Sequence, residues 1–155
     1  MSKYCQFKRI FLFHFVICVI FYSYIAQAKN TNDFTKVLAP GYNLLTTGYA
    51  QEAVVIFLKK TKKYPNSAEC HIALGKAYKA IGKISEAKNE FKTATLVQPD
   101  CGESYLELGE LQESDQEWDS AIQSFKAYVN ICPDEAKREG VVDRIKFCQE
   151  KLSAL

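Results

Sequence analysis

The chain has 155 residues, with 20 Lys or Arg against 18 Asp or Glu, a net charge of +2. So balanced a composition supplies no basic face of the kind nucleic acid requires, and no nucleic-acid partner is expected. Two histidines in the whole sequence leave little material for acid–base or metal chemistry.

Residues 1–28 begin with Lys3, Lys8 and Arg9 and contain no acidic residue. The apolar run 10–25 follows, then Ala26-Gln27-Ala28. Basic stretch, apolar stretch and small-x-small site, in that order, predict a secretory signal peptide cleaved after Ala28. The run of 16 residues includes His14 and Ser23 and falls short of the roughly 20 that span a membrane comfortably. An uncleaved membrane anchor is the alternative, and either reading places the rest of the chain in the periplasm or the secreted space. Cleavage would remove three cations, leaving 17 basic against 18 acidic residues and a net charge of −1. Residues 29–33 are polar and predict a short linker, and 34–155 form one domain of ordinary size.

From residue 34 onward one unit is written three times. Gly41, Gly75 and Gly109 stand 34 residues apart, as do Ala53, Ala87 and Ala121, Phe57, Phe91 and Phe125, and Pro65, Pro99 and Pro133. Four unlike residue types sharing one period do not arise from composition; a period of this length predicts a helix-turn-helix solenoid with units near 34–67, 68–101 and 102–135. In the second unit Ile72, Leu74 and Tyr78 are at helical spacing, and Gly82 ends that helix. Ile84, Ala87, Phe91 and Ala94 then form the stripe of an antiparallel partner closed by Pro99. Glycine and alanine at the crossing points let two helix axes approach, and phenylalanine fills the space between pairs. A single unit leaves its apolar face wet, so about three must stack.

These residues resemble the tetratricopeptide repeat family. Its pattern reads here as Leu74-Gly75, Tyr78, Gly82, Ala87, Phe91, Ala94 and Pro99. The third unit departs with Gln112, Gln116 and Tyr128, and places Trp118 near the start of its second helix. The first departs with Pro40, which predicts a kink, or a helix starting near Pro40 with 34–39 as a separate turn. The resemblance spans residues 34–133 and implies an all-α fold: a right-handed α-solenoid of three repeats plus a capping helix over about 135–153. Val141, Val142, Ile145, Phe147, Cys148 and Leu152 would form the apolar side of that last helix.

Outside the export segment, the only histidine is His71, predicted to lie at a helix interface or partly exposed. No metal-binding or phosphate-cradling motif is present, so no enzyme, cofactor or metal site is expected. Four cysteines follow the segment, and repeat geometry puts Cys70, Cys101 and Cys132 at one edge and Cys148 toward the other. Cys101 with Cys132 is the preferred disulfide, Cys70 with Cys101 the second choice, and four reduced thiols the remaining one. Lys59-Lys60-Thr61-Lys62-Lys63 has the composition of a nucleic-acid or anionic-lipid patch, but it lies on the last turns of a helix, where cations suit the dipole, and is expected to be a solvated face, as is the row Glu103, Glu107, Glu110 and Glu113.

The resemblance further implies a concave groove lined by the first helix of each unit. Its positions are Leu38, Tyr42 and Leu45, then Ile72, Lys76 and Lys79, then Leu106, Glu110 and Glu113. Apolar, basic and acidic stretches in that order suit a ligand with an apolar, an acidic and a basic element. The family's clamp for acidic C-terminal tails is absent, because Leu38, Tyr42, Ala73, Glu103 and Glu107 occupy its positions. The expected function is a non-catalytic interaction module or scaffold of the envelope or secreted space, with a peptide or protein partner. An assembly subunit that self-associates as a homo-oligomer or docks on an envelope complex is the alternative. A membrane is a partner only if residues 10–25 are retained.

Overall fold

The computed structural model describes residues 34–154, so the predicted signal peptide and linker lie outside the described residues. The chain divides into two compact units, residues 1–37 and 38–155. Of the first, residues 34–37 are described, and all are helical. Among its described residues every regular element of the second is an α-helix: α1 (residues 38–46), α2 (Ala50–Lys63), α3 (Ala68–Ala80), α4 (Ile84–Val97), α5 (Gly102–Ser114), α6 (Trp118–Ile131) and α7 (Glu135–Ser153). From α2 onward each helix packs on the next, and α3 also touches α5.

The helix ends follow from the periodic prolines. Tyr64, Gln98 and Cys132, each directly before a proline, leave the helical region, and each sends its N–H back to the carbonyl four residues earlier. Residues on both sides of Pro40 are helical, and its ring is exposed. The separate turn expected for 34–39 therefore does not form.

The turns inside each unit share one backbone conformation. Gly48 and Gly82 have φ of 87° and 76°, and Gln116, at the same register, has φ of 61°. The third turn thus keeps the left-handed conformation without the residue that adopts it freely, a strain of about 1–2 kcal/mol. Gln112, which replaces the repeat tyrosine, accepts a hydrogen bond of 2.6 Å from the Ser124 hydroxyl. That bond ties α5 to α6.

The core is the ladder of phenylalanines. Phe57, Phe91 and Phe125 are all fully buried. A Cβ on Gly75 would sit 2.7 Å from Phe91 Cε1, and one on Gly109 would sit 2.6 Å from Phe125 Cε1. Gly41 meets Phe57 in the same way. Glycine is required at these three positions because an aromatic ring lies directly against the backbone.

One cluster joins Ile72, Ala87 and Phe91 to Leu108 and Leu111 of the next unit. Another joins Ala121, Phe125 and Tyr128 to Val141, Ile145 and Cys148 of α7. The last helix therefore covers the third unit, while Phe147 and Leu152, expected on its apolar side, are exposed. Cys101 packs against the first cluster and Cys132 against the second. The Cys101–Cys132 bridge is not formed, and all four described cysteines are free.

Candidate functional site

Two of the nine groove positions belong to the core: Leu38 and Ile72 are each 2% exposed. Both sit one turn before the residue that faces outward, so helical geometry turns them into the stack. Leu106 packs against the α6–α7 cluster with part of its side chain open. Tyr42, half-buried, meets the Phe57 ring edge-on at 5.2 Å, and Leu45 is partly exposed.

The charged positions converge, but on one another. Lys76 Nζ lies 2.5 Å from Glu103 Oε1 and 3.7 Å from Glu107 Oε1. Lys79 Nζ lies 2.8 Å from Glu107 Oε2 and 3.2 Å from Glu110 Oε2. Arg144 of α7 then spans Glu110, at 2.9 Å, and Glu113, to which it donates from two guanidinium nitrogens. Its Cζ also lies 4.7 Å from the centre of the Phe125 ring. A continuous row of ion pairs therefore runs from α3 across α5 to α7.

Burial works against the charged form of Lys76 and of Lys79, yet Glu103 and Glu107 respectively overcome it and hold both pKa values above the ordinary lysine value. Burial likewise opposes ionisation of Glu110, and the hydrogen bonds from Arg144 and Lys79 outweigh it, so its pKa is lowered. The Tyr42 phenol is raised, chiefly by burial, and feels the charges of Lys76, Glu103 and Glu107, which places α1 on the same surface. The acidic row expected to be a solvated face is in this way half of a neutralised seam. The apolar, basic and acidic zones expected for a ligand do not exist as separate fields.

Arg144 was missing from the expected groove, although the register contained it. Tyr42, Lys76, Glu110 and Arg144 are each 34 residues apart. The last helix continues the repeat at this position, where its sequence had been read only for apolar spacing.

His71 lies at the α3–α4 interface, as a helix-packing residue should. Its Nδ1 is 2.7 Å from Glu90 Oε2 and its Nε2 is 2.9 Å from the Pro65 carbonyl. Both partners accept, so the doubly protonated ring satisfies both contacts, and the Glu90 hydrogen bond raises its pKa above the ordinary 6.5. The histidine braces a loop against α4 and is 7% exposed. Among the described residues no group of three or more His, Cys, Asp or Glu side chains is placed to hold a metal ion, and no helix is long and apolar enough to cross a membrane.

Residues 72–136 match the family model for the tetratricopeptide repeat, covering the second and third units and the start of α7. No curated protein matches the chain. Solved structures share its fold at low identity. The translocator chaperone SycD of the Yersinia enterocolitica type III secretion system is 11% identical with a TM-score of 0.71, covering 79% of this chain and 88% of its own. PcrH, solved in complex with the chaperone-binding region of PopD, is 16% identical with a TM-score of 0.70, over 77% and 93% of the two chains. The first such repeat domain of Spaghetti (RPAP3), bound to the HSP90 peptide SRMEEVD, is 14% identical with a TM-score of 0.68, over 76% and 90%. The fold is a tetratricopeptide-type α-solenoid, and the match to the repeat family rests on residues 72–136.

Proposed function

We propose that this protein is a non-catalytic interaction module that holds a peptide or partner segment along the inner row of α1, α3, α5 and α7. The carrying observation is that Tyr42, Lys76, Glu110 and Arg144 keep one register while differing in chemistry, beside a scaffold that does not vary. The neighbours support the reading, since the Spaghetti domain holds the HSP90 peptide and PcrH the PopD region. The proposed surface keeps Tyr42, Leu45, Lys76, Lys79, Leu106, Glu110 and Glu113, and loses Leu38 and Ile72 to the core. Because its charges are already paired, a ligand gains little by salt bridges and must contact Tyr42, Leu45 and the backbone edges beside them. An acidic tail such as SRMEEVD is not the ligand proposed, because the cations that would grip it, Lys76, Lys79 and Arg144, are already held by glutamates.

Site-specific photo-crosslinking in the producing cell tests this. A photoreactive residue at Leu45 or Lys79 captures a partner that the same group at Leu96, on the far side of the stack, does not. Equal capture from all three positions would remove the groove.

We also propose that the domain is exported, on the layout of residues 1–28; a mature protein beginning at Met1 would contradict cleavage after Ala28. A second reading, the assembly subunit, draws on Phe147 and Leu152, exposed together at the end of α7. Light scattering after size exclusion separates the two, a monomer excluding self-assembly.

A further inference from the structure

We infer that the outward face of α2 is a docking surface for an anionic membrane. The face presents Val55 and Leu58 beside Lys59, Lys62 and Lys63, all exposed. Along a helix these five positions fall within one side. Glu52 lies on the same side, two turns away from Lys59, and leaves the face net positive.

The other units are internal controls. The positions of Val55 are taken in α4 and α6 by Asn89 and Gln123, and those of Leu58 by Lys92 and Lys126, and all are exposed. The repeat therefore uses these sites for contact with water, and only the first unit fills them with apolar residues. The lysines of the last turn are also particular to this unit. The last turn of α2 holds Lys60, Lys62 and Lys63, while the last turns of α4 and α6 hold no basic residue. Complementing the helix dipole is therefore not a requirement of the fold.

These lysines are also uncommitted. Lysines of the inner row, Lys76 and Lys79, and Lys88 on α4 each bridge two carboxylates. Among the described residues Lys59, Lys62 and Lys63 join no ion pair, and Lys63 Nζ rests 5.2 Å from the centre of the Tyr64 ring. Ammonium groups outside any ion pair give no directional recognition of a particular carboxylate, as a fixed guanidinium fork would. They suit a diffuse negative surface, which needs only summed charge, and the two exposed aliphatic side chains supply the shallow insertion that accompanies it. The surface is separate from the inner row, so either proposal stands if the other fails.

The experiment is flotation of the full chain with vesicles of phosphatidylcholine alone and of phosphatidylcholine mixed equally with phosphatidylglycerol. The readout is the ratio of the two partition coefficients, which cancels any contribution that residues 10–25 make to both vesicle types. The variant Lys59→Glu/Lys62→Glu/Lys63→Glu lowers that ratio at least tenfold, since each basic residue near an anionic surface contributes about fivefold. The triple Lys→Gln variant lowers it less, and guards against a folding defect in the first. Val55→Ser/Leu58→Ser weakens binding to anionic vesicles several-fold, while Leu96→Ser leaves it unchanged. Melting temperatures are checked for each variant. A ratio unchanged in both lysine variants overturns the inference. So does displacement of the wild type from vesicles by polyglutamate as effectively as by added anionic vesicles, which would assign the face to an acidic protein.

Discussion

Gly75 and Lys76 are neighbours in sequence and belong to opposite economies of the molecule. Gly75 lies against Phe91, in an arrangement repeated at Gly41 with Phe57 and at Gly109 with Phe125. Lys76 faces the other way, in a row where each unit offers something different. The first set fixes how two helices of a unit cross. The second fixes how one unit follows the next, and it is the set that a partner could read.

The sharpest way to break this comparison is to remove one side of it. Phe91→Ala should cost about 3–5 kcal/mol in urea unfolding, because a fully buried ring leaves a cavity between two rigid pairs. Lys76→Ala, one residue along from Gly75, should cost under about 1 kcal/mol, since its partners remain partly in water. Similar costs for both would collapse the distinction between scaffold and seam.

Arg144→Ala should fall between, at about 1–2 kcal/mol, because it removes two carboxylate contacts and the stacking on Phe125 together. Much of this loss should disappear in high salt, which screens ion pairs but not packing. A loss unaffected by salt would mean that Arg144 acts through packing alone.

The scaffold is where the sequence was legible. Period, prolines and glycines predicted the helix pairs, their ends and the positions of the phenylalanines, because each residue answers to a local demand such as a proline stop or a close backbone approach. The seam was harder to read. Glu103, Glu107, Glu110 and Glu113 look solvated when α5 is considered alone, and only stacking brings Lys76, Lys79 and Arg144 to them. Leu38 and Ile72 failed as groove positions for a related reason, as a position taken from a family pattern does not specify how far a helix has rotated into its neighbours.

Gln116 is a place where the scaffold itself departs from its rule. Gln116→Gly should raise stability by about 0.5–1 kcal/mol, the relief of a left-handed backbone less the entropy that glycine adds to the unfolded chain. No gain would indicate that the turn relaxes around glutamine.

His71 gives the smallest effect, visible as a pH dependence. Its folded pKa lies above 6.5, so its contribution is full below pH 6.5 and is lost as pH rises through the folded value. Stability of the wild type should therefore decline across that window relative to His71→Gln. Parallel curves would show that the Glu90 contact contributes nothing net.

The central claim, that a partner peptide binds on the inner row and not on the repeated scaffold, is tested most directly by dissociation constants. Peptides selected from a random library on the purified chain should bind Leu45→Ser at least tenfold more weakly than wild type, and Leu96→Ser unchanged. Equal affinities for the wild type and Leu45→Ser, or a loss confined to Leu96→Ser, would contradict it.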